Sequence, residues 1–316
     1  MRYIHSVLNL KLLHVMFKTL GIKSNFLGME EEYSSYATSK VAVLPIPYER
    51  TVSYGGGTKN GPAGILKASH YVEFYDEETL RQVHKELGIA TITPLKFSKK
   101  QSDEQALDQI YETTRALIHD RKFVVSLGGE HTISQATIAA HAEKYRELSV
   151  VQIDAHSDLR MEYQGSKFSH ACVMARVAEF VDPKKIVQIG IRAQCIEEAA
   201  FIKKKRINTL YAHEIRGGKY TKLLKSWDDY AIEKLDNPVY VTFDVDGFDP
   251  SIMPATGTPE PNGLFWDETM RFLKKLGAKK TVVGCDVVEL APMKGLHYPD
   301  LTTAKLVSKM INYFVR

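Results

Sequence analysis

The chain has 316 residues, of which 44% are hydrophobic and 25% are charged, a composition that can supply a sizeable core. Its net charge is only +4, and lysine and arginine form no stripe with interleaved aromatic residues, so a nucleic-acid partner is not indicated. The three cysteines lack the spacing of a disulfide framework, which favours a reducing compartment. We therefore expect a cytoplasmic protein without a membrane span.

The first residues differ from the rest of the chain. Residues 1–25 combine basic side chains with a leucine-rich centre, and no acidic residue occurs before Glu30. This pattern predicts a terminal extension outside the main fold, with a basic, targeting-like segment as the alternative. Residues 26–316 contain no linker, repeat or low-complexity segment, so we expect them to form a single domain.

Apolar runs alternate with helical spacings along that domain. The runs that predict strands are 41–47, 123–127, 148–153, 185–191, 207–211, 238–243 and 281–284. Helical spacing predicts helices leading to residue 71, over 103–120, up to 145, between the strands that end at 191 and begin at 207, and from about 301. This alternation predicts an α/β fold with three layers, in which helices cover both faces of a central, mostly parallel sheet.

Ionisable side chains follow the C-terminal ends of four of these strands. They are His131, Asp154, His156, Asp158, Asp244, Asp246 and Glu289. Parallel sheets place their ligand crevice at that edge, so clusters far apart in sequence are expected to converge in space. In the run from 154 to 158, the three ionisable residues also occupy alternate positions, which share one face of an extended chain.

The charge of these side chains predicts two metal ions. Without Glu289, the set supplies two imidazoles and four carboxylates, and two divalent cations would neutralise four negative charges. Oxygen ligands with some imidazole suit manganese or a similar first-row ion better than a structural zinc. Each cluster alone has a simpler explanation, as a helix cap or a turn, but all of them at strand ends is harder to ascribe to chance.

Several motifs resemble those of the ureohydrolase family, the binuclear manganese group of arginase and agmatinase. They are Gly-Gly-Glu-His at 128–131, Asp-Ala-His-Ser-Asp at 154–158, Ser-His-Ala at 169–171 and Asp-Val-Asp-Gly-Phe-Asp-Pro-Ser at 244–251. The run from Met253 to Leu264 extends the match, and the resemblance covers nearly the whole chain from about Phe26. It implies an arginase-like fold and, as is common in this family, a homo-oligomer, either a trimer or a hexamer.

The resemblance also implies roles for individual residues. Two Mn²⁺ ions, or other divalent ions such as Ni²⁺, would be held at one position by His131 and Asp158 and at the other by His156 and Asp246, with Asp154 and Asp244 bridging both. Asp158 would also accept a proton as water adds to the guanidinium carbon. Glu289 would pair with the guanidinium group, and His170 would pass a proton to the leaving amine.

The loop from Leu159 to Phe168 indicates the substrate. It departs from the arginase pattern and looks like agmatinase-type sequences, which often carry Asp-Leu-Arg-x-Glu-Tyr here. The sequence therefore predicts hydrolysis of a small cationic guanidino compound, with agmatine first and Glu162 meeting its distal ammonium. Aminopropylagmatine is the closest alternative, and guanidinobutyrate, arginine and guanidine are the others.

Two alternatives belong to other classes of protein. A metal-dependent deacetylase can share this fold class, but it would need one zinc ion and a different pair of histidines. A catalytically inactive ureohydrolase-like regulatory protein is the non-enzyme alternative. The complete set of metal ligands together with Glu289 argues against it.

Overall fold

The computed structural model describes residues 17–220 and 226–316. Its strands are β1 (Val41–Ile46), β2 (Ile89–Thr91), β3 (Phe123–Gly128), β4 (Ser149–Ile153), β5 (Ile186–Ile191), β6 (Asn208–Tyr211), β7 (Val239–Asp244) and β8 (Val282–Val288). Across the described residues they form one sheet in the order β2-β1-β3-β8-β7-β4-β5-β6, and every neighbouring pair is parallel. The predicted parallel α/β architecture is confirmed.

Helices precede, connect and follow the strands. They are α1 (Glu31–Ser34), α2 (Gly61–Ser69), α3 (Val83–Leu87), α4 (Asp103–His119), α5 (Ser134–Lys144), α6 (Val173–Val177), α7 (Ile196–Lys205), α8 (Ala212–Arg216), α9 (Trp227–Glu233), α10 (Trp266–Lys279) and α11 (Tyr298–Phe314). The predicted helix over 103–120 begins at a capping box, in which Ser102 and Gln105 satisfy each other's backbone amides.

The sheet is buried on both faces, which explains why its strands are apolar along their whole length. Alternate residues of one strand belong to different cores, since successive side chains point to opposite faces. Val125 and Phe243 pack in the core that includes α2, α10 and α11. Val124 and Tyr240 pack in the cores under α4 to α7 on the other face. This is the predicted three-layer arrangement.

Four adjacent central strands carry the predicted clusters. These strands are β3, β8, β7 and β4, and their registers are aligned: Leu127 and Phe243 both pair with Val287, and Ile153 pairs with Phe243. Because neighbouring parallel strands end at the same level, the residues that follow them meet above the middle of the sheet.

Two strand predictions differ from the structure. β8 continues four residues beyond the predicted end at Gly284, because Cys285 to Val288 stay buried and keep pairing with β7. β2 was missed; its three residues follow Gly88, whose φ of +62° sets the turn into the strand. A short edge strand carries too few residues to show a periodic pattern.

The N-terminal segment is partly described. Residues 1–16 lie outside the described part of the chain, so the expected terminal extension over 1–25 stays a prediction. Of its later residues, Leu20 donates a backbone hydrogen bond to Thr91 at the end of β2, and Asn25 is fully buried. Among the described helices, none has the length and apolar character needed to cross a membrane.

Gly129, the first residue after β3, allows two segments to approach closely. A Cβ at this position would lie 1.9 Å from the carbonyl oxygen of Tyr48. We expect Gly129→Ala to destabilise the fold by roughly 1–3 kcal/mol, the usual cost of overpacking, and to lower Tm in thermal unfolding. Gly56→Ala is the matched control, since its Cβ would have no heavy atom within 4 Å. Equal Tm values for the two variants would contradict this account.

Candidate metal centre and active site

His131 begins a short 3-10 turn directly after β3, and only 1% of its surface is exposed. Its Nδ1 atom lies 3.0 Å from Asp158 Oδ2, 3.1 Å from Asp154 Oδ2 and 3.4 Å from Asp244 Oδ2. Although these oxygens are close, Nδ1 makes no hydrogen bond of acceptable geometry to any of them or to other described residues. The atom therefore points into the space between three carboxylates, as ligands do around a cation.

A second group of ligand atoms shares Asp154 with the first. His156 Nδ1 lies 2.9 Å from Asp246 Oδ2 and 3.7 Å from Asp154 Oδ1. The ligand atoms of Asp154, His156 and Asp246 all lie within 4.8 Å of one another, and so do those of His131, Asp154 and Asp158. Because Asp154 presents Oδ2 to one group and Oδ1 to the other, its carboxylate can bridge two ions.

Backbone hydrogen bonds hold the remaining carboxylates of the site in place. Asp244 Oδ1 accepts from the backbone N–H of Asp246 at 2.8 Å, which leaves its Oδ2 facing His131. Asp246 Oδ1 in turn accepts from the backbone N–H of Ala155 at 3.0 Å, so the loops after β4 and β7 are tied together. The structure thus brings together all six predicted metal ligands.

A buried hydrogen-bond relay sets the tautomer of His131. Thr242 donates its hydroxyl proton to Asp286 Oδ1 at 2.6 Å, and Asp286 also accepts from the Tyr240 hydroxyl at 2.7 Å. With its proton committed, Thr242 Oγ1 faces His131 Nε2 at 2.9 Å as an acceptor. The ring proton therefore sits on Nε2, and Nδ1 keeps the lone pair that a metal ligand needs.

The electrostatics of the protein alone indicate a site built for positive charge. Burial would lower the pKa of His131, but the neighbouring carboxylates, Asp154 foremost, outweigh it and raise that pKa. The same balance, with Asp246 foremost, raises the pKa of His156 to about 12. Burial, followed by the charge of a neighbouring aspartate, raises the pKa of Asp158 to about 7 and raises that of Asp244. Without cations, the site takes up protons to reduce its negative charge.

The donor set therefore fits two divalent cations. Carboxylate oxygens and imidazole nitrogens suit manganese and similar ions, and the unpartnered Nδ1 of His131 is explained by a bound ion. Neither group of potential ligand atoms found among the described residues includes a cysteine.

Two of the predicted site residues have backbone conformations that L-residues rarely adopt. Asp158 has φ of +53° and Glu289 has φ of +65°. Such left-handed positions are costly for residues other than glycine and persist where the surrounding structure imposes them. Here they turn each side chain back toward the sheet edge directly after an extended segment.

Glu289 follows β8 beside the metal ligands, and its side chain is 7% exposed. Its Oε1 atom accepts from the backbone N–H of His131 at 2.6 Å. Burial raises the pKa of Glu289, and the nearby charge of Glu130 raises it further. A Cβ on Gly257 would lie 3.9 Å from Oε2, so the absence of a side chain there leaves room beside this carboxylate. A cationic group that enters this space would stabilise the charged form of Glu289.

His170 lies in a 3-10 turn at the rim of the site. Its backbone N–H donates to Thr51 Oγ1 at 3.0 Å, and its Nδ1 lies 3.3 Å from the same oxygen. The ring of Tyr163 meets it edge-on, with the ring centroids 6.2 Å apart. Burial lowers the pKa of His170 to about 4.

The loop from Leu159 to Phe168, which we call the rim loop, has a local structure of its own. Tyr163 and Ser166 exchange backbone hydrogen bonds of 3.0 Å, and the Arg160 guanidinium lies over the Tyr163 ring. Glu162, the predicted partner of a distal ammonium, is exposed. Its exposed position on this loop is compatible with that role.

Comparison with known proteins identifies the family. The Arginase family profile matches residues 39–315. The chain is 41% identical over 289 residues to an N(1)-aminopropylagmatine ureohydrolase from Synechocystis sp., covering 90% of this chain and 92% of that protein. It is 33% identical over 265 residues to an agmatinase from Bacillus cereus, covering 83% and 87% of the two chains.

The chain belongs to the arginase family. The crystal structure of an agmatine ureohydrolase of Thermoplasma volcanium superimposes with a TM-score of 0.79 at 30% identity, covering 89% of this chain and 91% of that one. The family resemblance drawn from the motifs is confirmed, and so is the arginase-like fold. The protein is an arginase-family hydrolase of the ureohydrolase type.

Several residues that support the predicted metal ligands of this arginase-family chain were not identified from the sequence. Thr242 and Asp286 lie inside buried strands, and Thr51 lies in a loop far from the motifs. A signal existed for the first two, since a buried strand position is rarely polar without a partner. Arg192 was also missed; its guanidinium bonds the backbone oxygens of Asp246, Phe248 and Glu260, and so supports the loop that carries Asp246.

We expect divalent cations to stabilise the fold of this arginase-family protein. Titration of the metal-free protein with Mn²⁺ should raise Tm, because bound ions neutralise the buried carboxylates. Asp244→Asn should diminish the rise caused by Mn²⁺, since it removes one carboxylate ligand that the ions would neutralise. Thermal unfolding of both proteins with and without Mn²⁺ measures the effect. An equal rise in Tm for the variant and the native protein would contradict the charge argument.

The relay to His131 predicts an effect on metal affinity. Thr242→Val keeps the side-chain shape but removes the acceptor for Nε2–H, so we expect Mn²⁺ affinity to fall by about 10-fold to 100-fold. Competition with a chelator measures it. Thr269→Val is the control, because that buried hydroxyl donates only to the backbone oxygen of Phe265 in α10. Equal affinities in the two variants would show that the relay does not tune the ligand.

Proposed function

We propose that this protein hydrolyses the guanidino group of a linear amine and releases urea, with two Mn²⁺ ions held by the six residues at the sheet edge. The observation that carries the proposal is the buried Glu289 carboxylate next to that cluster, bonded through Oε1 to the backbone of the metal ligand His131. This contact supports a role for Glu289 as the partner of a planar cation, next to the site that we propose for two divalent ions.

The first task of the chain's own residues is to hold the substrate. Glu289 Oε1 is already bonded, so Oε2 remains for a guanidinium N–H that enters beside Gly257. Pairing with a cation restores the charge that burial disfavours in Glu289. Because burial raises the pKa of Glu289 in the free protein, a ligand that pairs with its carboxylate must be cationic to stabilise the charged form.

The second task is proton transfer. Two cations bound at the site would supply a water molecule of lowered pKa and stabilise the charge that develops as this water adds to the guanidinium carbon. Asp158, whose pKa is raised by burial, accepts the proton released in this step. His170 delivers a proton to the departing amine nitrogen, since a neutral amine leaves more readily than an amide anion. Cleavage of that C–N bond gives urea and the free amine.

We place N1-aminopropylagmatine first among the substrates and agmatine second, the reverse of the order from the sequence. What supports this order is the identity of 41% to a relative named for the first compound, against 33% for a relative named as an agmatinase. Agmatine is supported by the charge balance: the ligands cancel two divalent cations, and Glu289 and hydroxide leave about two negative charges for a dication. Glu162 on the rim loop would meet the distal amine of either compound.

The remaining predictions about the environment of the protein rest on the family. We infer a homo-oligomer, either a trimer or a hexamer, and a cytoplasmic location. Size-exclusion chromatography with light scattering tests the first, and localisation of the tagged protein tests the second.

A substrate panel tests the proposed order. We expect urea release from N1-aminopropylagmatine with the highest kcat/KM, a lower value for agmatine, and little release from arginine, whose α-carboxylate would face Glu162 at the position proposed for a distal ammonium. The assay measures urea with Mn²⁺ and, separately, with Ni²⁺. Activity confined to arginine would contradict the proposed substrate class, and a higher value for agmatine would restore the order predicted from the sequence.

Substitution of Glu289 tests the binding role. Glu289→Gln leaves the shape of the side chain but removes its charge, and removal of one partner of a buried ion pair costs about 3–5 kcal/mol. At about 1.4 kcal/mol for each tenfold change, kcat/KM should fall by about 100-fold or more. Glu112→Gln, on the exposed face of α4, is the control. A fall of less than about threefold would remove Glu289 from guanidinium binding.

A further inference from the structure

A segment remote from every sequence motif contacts His170. It is the loop after β1, in which Thr51 presents its hydroxyl to both the backbone and the ring of that histidine. The neighbouring Arg50 anchors the loop, because its guanidinium bonds the carboxylate of Asp103 at 2.9 Å and the backbone oxygen of Gln101 at 2.7 Å. Thr51 is therefore held in position before any substrate arrives.

The other end of the contact is a buried carboxylate. Glu130 is fully buried, and its Oε2 atom accepts from the backbone N–H groups of Arg50 and Thr51, both at 2.7 Å. Its Oε1 atom accepts the hydroxyl proton of Thr51 at 2.8 Å. Thr132 Oγ1 also lies near Thr51 Oγ1, at 3.4 Å, but Thr132 donates its own hydrogen bond to the backbone oxygen of Phe168 at 3.1 Å. It therefore leaves the shorter bond from Thr51 to Glu130 in place.

The proton count then decides the state of the histidine. A hydroxyl can donate only one hydrogen bond, and Thr51 donates it to Glu130. The Thr51 oxygen therefore acts as an acceptor toward His170. The oxygen has two lone pairs, which are used by the backbone N–H at 3.0 Å and by Nδ1–H at 3.3 Å. The neutral ring thus carries its proton on Nδ1, and the lone pair stays on Nε2, with Ser53 Oγ 3.5 Å away.

We propose that Thr51 and Glu130 are positioning residues that fix the tautomer and orientation of His170 for proton delivery to the leaving amine. The inference rests on the proposed function, which gives His170 that step. When Nε2 takes up a proton from solvent water, the positive ring remains hydrogen-bonded through Thr51 to the Glu130 carboxylate. The proton then passes from Nε2 to the amine nitrogen as the C–N bond breaks, and the ring returns to its Nδ1–H form.

Four variants of Thr51 and His170 test the relay by steady-state kinetics on the full chain loaded with Mn²⁺. Thr51→Val removes the hydroxyl, so we expect kcat to fall by about 10-fold to 100-fold, with KM changed by less than about threefold, as for loss of a supporting hydrogen bond. Thr51→Ser keeps the hydroxyl and should stay within about threefold of the native kcat. His170→Asn combined with Thr51→Val should lose no more than His170→Asn alone, because both act on one step.

Several results would overturn the inference. A Thr51→Ser variant as slow as Thr51→Val would indicate that Thr51 acts through packing. Additive losses in the double variant would show that the two residues do not act on one step. A fall in kcat that follows loss of bound Mn²⁺ would place the effect at the metal site. Glu130→Gln gives a second measurement if Thr51→Val does not fold, and its kcat should also fall at unchanged Mn²⁺ content. Thr269→Val, remote from the site, is the control for each.

A wrong relay and a wrong proposed function would give different kinetics. If His170→Asn keeps the native kcat, the proton-transfer role of His170 is wrong, and the relay is wrong with it. If His170→Asn loses activity while Thr51→Val and Glu130→Gln keep theirs, the proposed function stands and only the relay is overturned.

Discussion

The main constraint on the structure is the repulsion among four carboxylates that are gathered at the edge of a parallel sheet and almost completely buried. They belong to Asp154, Asp158, Asp244 and Asp246. Buried charge of one sign is tolerated only when opposite charge compensates it. In the protein alone, burial disfavours a positive charge on His131 and His156, but the surrounding carboxylates outweigh it and raise the pKa of both imidazoles. Strand register, the loop bonds and the left-handed turn at Asp158 all serve to hold this arrangement against its own repulsion.

Much of the site could be predicted from the sequence because its signal is local. Ionisable residues stand directly after apolar runs, and a parallel sheet brings the C-terminal ends of its strands together. The strand order, however, depends on packing between distant segments, so it was not predictable that β8 lies between β3 and β7. The extent of β8 was missed for a related reason, since Asp286 reads as the end of a strand until its partners Tyr240 and Thr242 are known.

The supporting residues share one chemical pattern. Two histidines each face a threonine hydroxyl that is bonded to a buried carboxylate: His131 through Thr242 to Asp286, and His170 through Thr51 to Glu130. The first relay keeps the ring proton on Nε2 and leaves the lone pair on Nδ1. The second keeps the proton on Nδ1 and leaves the lone pair on Nε2. The same three groups therefore prepare one ring for a metal ion and the other for a proton. A threonine in a strand and another in a loop give no sequence signal that relates them.

The rim loop is held differently from the predicted metal ligands. Its backbone is closed by the bonds between Tyr163 and Ser166, and Glu162 is exposed, whereas Glu289 and the predicted metal ligands follow strand ends that the whole sheet fixes. Tyr163 also meets His170 edge-on, so the loop reaches the active site at this one described ring contact, while an exposed position such as Glu162 can change with little effect on folding. Such a division lets a lineage change the amine tail it accepts while it inherits the reaction intact. Differences in the accepted amine tail would then map to exposed positions of this one loop rather than to the strand ends.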